Sequence, residues 1–122
     1  WVPFADALMY PLPVEPLIEN PDPKAFFALE VKLLERYYAE SGVTQRPATL
    51  DQYVDKVVRA TLERHRKSGA VAEKFEMAYL RTLAIGNPSK AAAEKAYAGG
   101  GDYRALQDYI FRFIVLERTP SF

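Results

Sequence analysis

The stretch GAVAEKFEMAYLRTL, residues 69–83, decides how this chain is read. Two-residue alternation sets Val71, Glu73, Phe75 and Met77 on one side and Ala70, Ala72, Lys74 and Glu76 on the other. Neither side is cleanly apolar. A strand enclosed in a parallel sheet accommodates that pattern when its charged groups gather at one end and point into a cavity. The rival is one more amphipathic helix of a small helical protein. The first reading makes Lys74 and Glu76 members of a site; the second makes them a solvated face.

The flanking sequence supplies helices. Upstream, Thr49 with Gln52 three residues later is a capping-box signature. Leu50, Tyr53, Val54, Val57, Val58, Thr61 and Leu62 then trace one face of a long helix that stops at Gly69. Its last turns, ERHRKSG, hold the only histidine, His65, among cations. The negative end of the helix dipole accounts for that placement, and the alternative is a metal ligand. Further back, Asp22 and Pro23 form a helix start, Phe26, Phe27, Val31, Leu34 and Tyr38 recur at helical spacing, and Gly42 closes the element. Five prolines between residues 11 and 23 predict an extended surface connection. The opening WVPFADAL reads as a short buried strand ending near Asp6, with a helix as the alternative.

Downstream, Asn87 as cap and Pro88 in the first turn open an alanine-rich helix that three glycines stop. Asp102 then caps a last helix striped by Leu106, Tyr109, Ile110, Phe113 and Ile114. The expected fold class is mainly α, four helices with one or two short strands in one domain. Residues 1–22 form a strand and the proline-rich connection, 23–69 two long helices, 70–86 a strand and loop, and 87–118 two helices.

Composition bounds the function. With 122 residues, 49% of them hydrophobic and 26% charged, the chain can bury a real core. Sixteen basic residues balance sixteen acidic ones, which removes the long-range field that gathers nucleic acid. The absence of cysteine excludes disulfides and thiolate metal sites. The longest apolar run, YIFRFIVL, is too short for a membrane span and carries Arg112, while the N-terminal stretch lacks a basic leader. Cytoplasm is the default location.

Most reaction types find little support. Nucleophilic catalysis needs a base beside the nucleophile and a third group orienting it, which one histidine in a basic helix end does not persuasively provide. Glu73 and Glu76, three apart on a strand, fall on opposite faces and make no carboxylate dyad. AGGGDY, residues 98–103, lacks the Lys-Ser/Thr ending of a phosphate loop and puts Asp102 where the anion would sit, so it reads as a linker. The fifteen tyrosines and phenylalanines read as core or interface, with a ligand-binding aromatic cluster as the alternative.

The opening stretch resembles the strand-and-turn segment of the metal-dependent amidohydrolase superfamily, whose fold is the TIM barrel. The similar branch carries a lysine followed shortly by Ala-Tyr and an arginine, here Lys74, Ala78, Tyr79 and Arg81. WVPFADALMYPL, FFALEVKLLERYY, ATLDQYVDKVVRATLERHRKSGAVAEKF and YRALQDYIFRFI are similar to stretches of that branch in the same order, so the resemblance covers most of the chain. It implies part of a (β/α)8 barrel, the helical insertion with an early strand, and a parent reaction of metal-assisted hydrolysis or decarboxylation. Lys74 would face the barrel mouth, contacting substrate or, if carboxylated, bridging metal. Tyr79 and Arg81 would hold an anionic substrate group. The bland counterparts are a lysine whose stem packs and a surface ion pair.

That family holds zinc or manganese with a His-x-His pair, further histidines and an aspartate, and none of these positions has a counterpart in this chain. The resemblance therefore implies an interior fragment, no cofactor in this chain alone, unassigned catalytic residues and no catalysis in isolation. The expected partners are a second copy or the remainder of the barrel, with a small anionic substrate, and neither nucleic acid nor membrane. The rival function is a non-enzymatic helical interaction or dimerisation domain built on the aromatic helices.

Overall fold

The computed structural model describes residues 1–12, 21–76, 81 and 83–118, with side chains described over 1–12, 25–76, 81 and 83–116. Among these residues the chain is mainly helical, with four helices. Helix α1 spans Pro21–Glu40. Helix α2 runs unbroken over 50–67, as Leu50–Tyr53, a π-helical stretch Val54–Arg59, and Ala60–Lys67. Helix α3 is Lys90–Tyr97 and α4 is Tyr103–Arg118.

Helix α2 shows how sequence period sets shape. Thr49 caps it, its hydroxyl accepting from the Gln52 amide at 3.2 Å. The buried positions Leu50, Tyr53, Val54, Val57, Val58, Thr61, Leu62 and His65 fall in two rows at intervals of four. On a regular helix such rows drift by about 40° per turn. The wider π turn takes up that drift and keeps the stripe on the core.

Residues 5–10 form the centre of the molecule rather than a strand. Ala5, Asp6, Ala7, Leu8 and Met9 have no exposed surface, and Asp6–Met9 is a 3-10 turn. Irregular backbone buried this deeply must find hydrogen-bond partners outside regular structure. Tyrosine hydroxyls supply them along residues 4–12: Tyr37 donates to the Phe4 carbonyl at 2.6 Å, Tyr53 to that of Leu8 at 2.5 Å and Tyr103 to that of Leu12 at 2.9 Å. The aromatic residues of α1, α2 and α4 are thus core and anchor together.

After α2, Gly69 takes a φ of 96°, and the Ala70 amide caps the helix on the His65 carbonyl at 2.9 Å. The chain then reverses and runs beside residues 1–5 in the same direction. Val71 N donates to Trp1 O at 3.1 Å, Lys74 N to Pro3 O at 2.8 Å and Ala5 N to Lys74 O at 2.8 Å. This gives one parallel bridge, Phe4 to Lys74.

The expected strands at 1–6 and 70–77 are corrected by this finding, since no strand and no sheet form among the described residues. Pro3 cannot donate to a ladder, and the chain enters the 3-10 turn at Asp6, so the pairing has no length over which to grow. The helical alternative for 71–76 is not adopted either; that backbone is extended or irregular. The predicted proline-rich connection lies over 13–20 outside the described residues, and α1 begins at Pro21, ahead of Asp22. Helix α3 starts at Lys90 with Ser89 as its cap, accepting from Ala92 N at 3.1 Å, two residues past the expected Asn87. Helices α3 and α4 pack on each other through Ala93, Ala96, Tyr97, Leu106 and Ile110.

Candidate functional site

The parallel pair has two ends, and titratable groups collect at both. At the carboxyl end, Asp6 Oδ2 accepts from the Glu76 amide at 3.1 Å, while its Oδ1 is buried without a hydrogen-bond partner. Glu30 on α1 and Tyr10 are likewise buried, and Glu30 Oε2 and the Tyr10 hydroxyl are unpartnered. Burial pushes the Asp6 carboxyl up to about 6. Burial, with the nearby charges of Asp6 and Glu76, pushes Glu30 up to about 8. Burial also raises Tyr10, so its hydroxyl stays protonated. Glu30 thus keeps its proton at neutrality and suits proton donation, whereas Asp6 keeps its own only below about 6.

Lys74 lies at this end. Its side chain is about half exposed, with Nζ 3.8 Å from Glu76 Oε1 and 5.3 Å from the centre of the Phe4 ring. Arg81 is placed differently: its side chain is 6% exposed and clamped to Asp108 at 2.6 Å and to Gln107 Oε1 at 3.0 Å. Asp108 Oδ2 also accepts from Gly86 N at 2.9 Å, and Arg104 reaches the Ala84 carbonyl at 3.1 Å. The loop after residue 80 is thereby lashed to α4. Tyr79 lies outside the described residues, so no geometry joins it to Lys74 or Arg81.

At the amino end, the reading of His65 as a helix-dipole residue misses its main contact. Its side chain is 7% exposed, and Nδ1 sits 2.9 and 3.0 Å from the two carboxylate oxygens of Glu73, itself 4% exposed. A carboxylate only accepts, so Nδ1 carries the proton. The rings of Trp1 and Tyr37 meet the imidazole edge-on at 5.3 and 5.2 Å. A signal for its burial was present: His65 continues the row Tyr53, Val57, Thr61 at intervals of four.

The described residues do not fit the zinc or manganese that the resemblance implies. No group of three or more His, Asp or Glu side chains among them is placed to hold a metal ion. No helix among the described residues is long and apolar enough to cross a membrane. Comparison with protein-family models, with curated proteins and with solved structures finds no match to this chain.

Proposed function

We propose that this chain carries substrate-side groups of an amidohydrolase-like hydrolase, whose parent reaction is metal-assisted hydrolysis or decarboxylation. One observation supports the reading. Residues 1–5 and 71–74 align in parallel through the Phe4–Lys74 bridge, two long helices separate them in sequence, and Asp6, Lys74 and Glu76 stand at their carboxyl ends. Parallel neighbours require a long crossover, and parallel α/β enzymes gather their reacting groups at the carboxyl ends. The step from that layout to a chemistry is analogy at the level of fold. The described residues offer no site for the metal, so their roles here concern protons and charge only. Glu30 holds a transferable proton at neutrality, and Asp6 does so below about 6. Lys74 presents its ammonium to an anionic group, while Arg81, spent on Asp108, positions the loop.

The test is turnover of amides, lactones and aromatic carboxylic acids by the protein as its gene encodes it, supplied with zinc or manganese. The reading expects metal-dependent turnover that falls at least about tenfold in Lys74→Met, the loss of one charge-assisted contact. No turnover, or an unchanged Lys74→Met, contradicts it. The second reading, a helical interaction or dimerisation domain, draws on the exposed Leu29 and Val31 of α1 and Val115 and Leu116 of α4. It expects concentration-dependent association that Leu29→Lys or Leu116→Lys removes.

A further inference from the structure

A cavity of about 250 Å³ opens at the amino end of the parallel pair. Trp1, Phe4 and Tyr37 bring aromatic surface to it, and Arg64 and His65 bring polar atoms. Three features make it more than a surface dent.

First, the imidazole is fixed. Glu73 holds Nδ1 from one side and the two flanking rings hold the plane, while Tyr37 is itself pinned by its bond to Phe4. Nε2, the ring's remaining polar atom, makes no hydrogen bond to the described residues. Second, Arg64 is positioned without being neutralised. Its guanidinium donates to Ser41 Oγ at 3.1 Å and to Thr61 Oγ1 at 3.0 Å, both uncharged groups, and no carboxylate of the described residues pairs with it. Third, the other charged side chains lining the cavity cancel, because Arg36 is bonded to Glu40 at 3.1 Å, while Glu73 lies outside the lining and is taken up by His65. The surplus is one half-buried cation beside aromatic surface.

One compensating charge and an apolar body describe the ligand. We infer that this cavity binds a small aromatic carboxylate, its carboxylate on Arg64 and its ring against Trp1, Phe4 and Tyr37, with the His65 ring as a wall of the site. A guanidinium whose remaining N–H groups are free takes a carboxylate in a forked arrangement. A dianionic phosphate would bring one charge more than the cavity offsets, and a cation would meet Arg64. This site stands apart from the proposed hydrolytic function and does not depend on it.

Two reporters lie at the site, since residues 1–122 contain one tryptophan and one histidine. The experiment titrates the full protein with sodium benzoate, sodium propionate and inorganic phosphate. It follows Trp1 fluorescence, excited at the red edge of its absorption, and the His65 ring resonances by NMR. Benzoate is expected to move both signals with one saturating curve, propionate more weakly, and phosphate not at all. Arg64→Gln should weaken benzoate at least about tenfold, the share of one charge-assisted bond, with an unchanged melting temperature. The inference is overturned if benzoate gives no saturable shift, if phosphate matches it, or if Arg64→Gln binds as the parent does. Should Arg64→Gln not fold, the unmodified protein decides through the His65 shift and the benzoate-to-phosphate comparison.

Discussion

Raising the pH from about 4 to 7 should weaken this fold, and Asp6 gives the size of the effect. Its carboxyl has no exposed surface, its Oδ1 is buried without a hydrogen-bond partner, and burial moves it from 3.8 to about 6. In that interval the unfolded chain has released the proton while the folded chain keeps it. Stability therefore falls with each step in pH, is fully present below about 3.8, and is lost by the time the folded group ionises near 6. The displacement corresponds to about 3 kcal/mol. Glu30, moved from 4.5 to about 8, extends the decline in the same direction to higher pH. Urea unfolding of the parent and of Asp6→Asn, measured from pH 4 to 7.5, reads the Asp6 share together with its coupling to Glu30, because the difference between the two cancels the groups that do not feel Asp6. That difference should shift by about 2.4 kcal/mol in favour of Asp6→Asn across the range, because part of the total of about 3 kcal/mol is already lost at pH 4, which is about 1.2 M in midpoint at a slope of about 2 kcal/mol per M. A pH-independent difference, or a parent that grows more stable from pH 4 to 7, would refute the reasoning.

Three further outcomes follow from other contacts. Asp108→Ala leaves the buried Arg81 guanidinium without its counter-charge and frees the Gly86 amide, so urea unfolding should show a loss of about 3–5 kcal/mol. Tyr53→Phe strips the Leu8 carbonyl of its partner in the deepest part of the core, and thermal melts should register about 1–3 kcal/mol. Gly101→Ala would put a methyl 2.8 Å from the Ala96 amide nitrogen, and the resulting push between α3 and α4 should cost about 1–3 kcal/mol by urea unfolding.

The helices were legible because their signals are local. Thr49, Gly42 and Gly69 mark ends through their own backbone needs, and the apolar rows of α2 and α4 recur within a few residues. What the sequence concealed depends on distant partners. The Tyr37, Tyr53 and Tyr103 hydroxyls bond backbone carbonyls 33 to 91 residues away, in a segment with no periodicity of its own. Residues 1–5 and 71–74 each read as strand, but their pairing with one another was not legible, and Pro3 and the turn at Asp6 cut the ladder to one bridge, an outcome that residue preferences at either segment alone do not reveal. His65 was placed by its cationic neighbours when its row position governed. Because a left-handed glycine returns the chain at residue 69, Glu73 meets His65 from only eight residues away. Of the residues the resemblance singles out, Lys74 lies at the carboxyl end of the pair, and Arg81, for which an anionic substrate group and a surface ion pair were the two readings, is in a buried ion pair with Asp108.

The layout of both sites rests on two chain segments running side by side in one direction. Amide hydrogen exchange by NMR tests this most directly, at three backbone positions. Slow exchange at Ala5, Val71 and Lys74, with cross-peaks linking Phe4 to Lys74, is the result expected. Freely exchanging amides there, with successive amide-to-amide cross-peaks through residues 71–76 marking a helix, would contradict it.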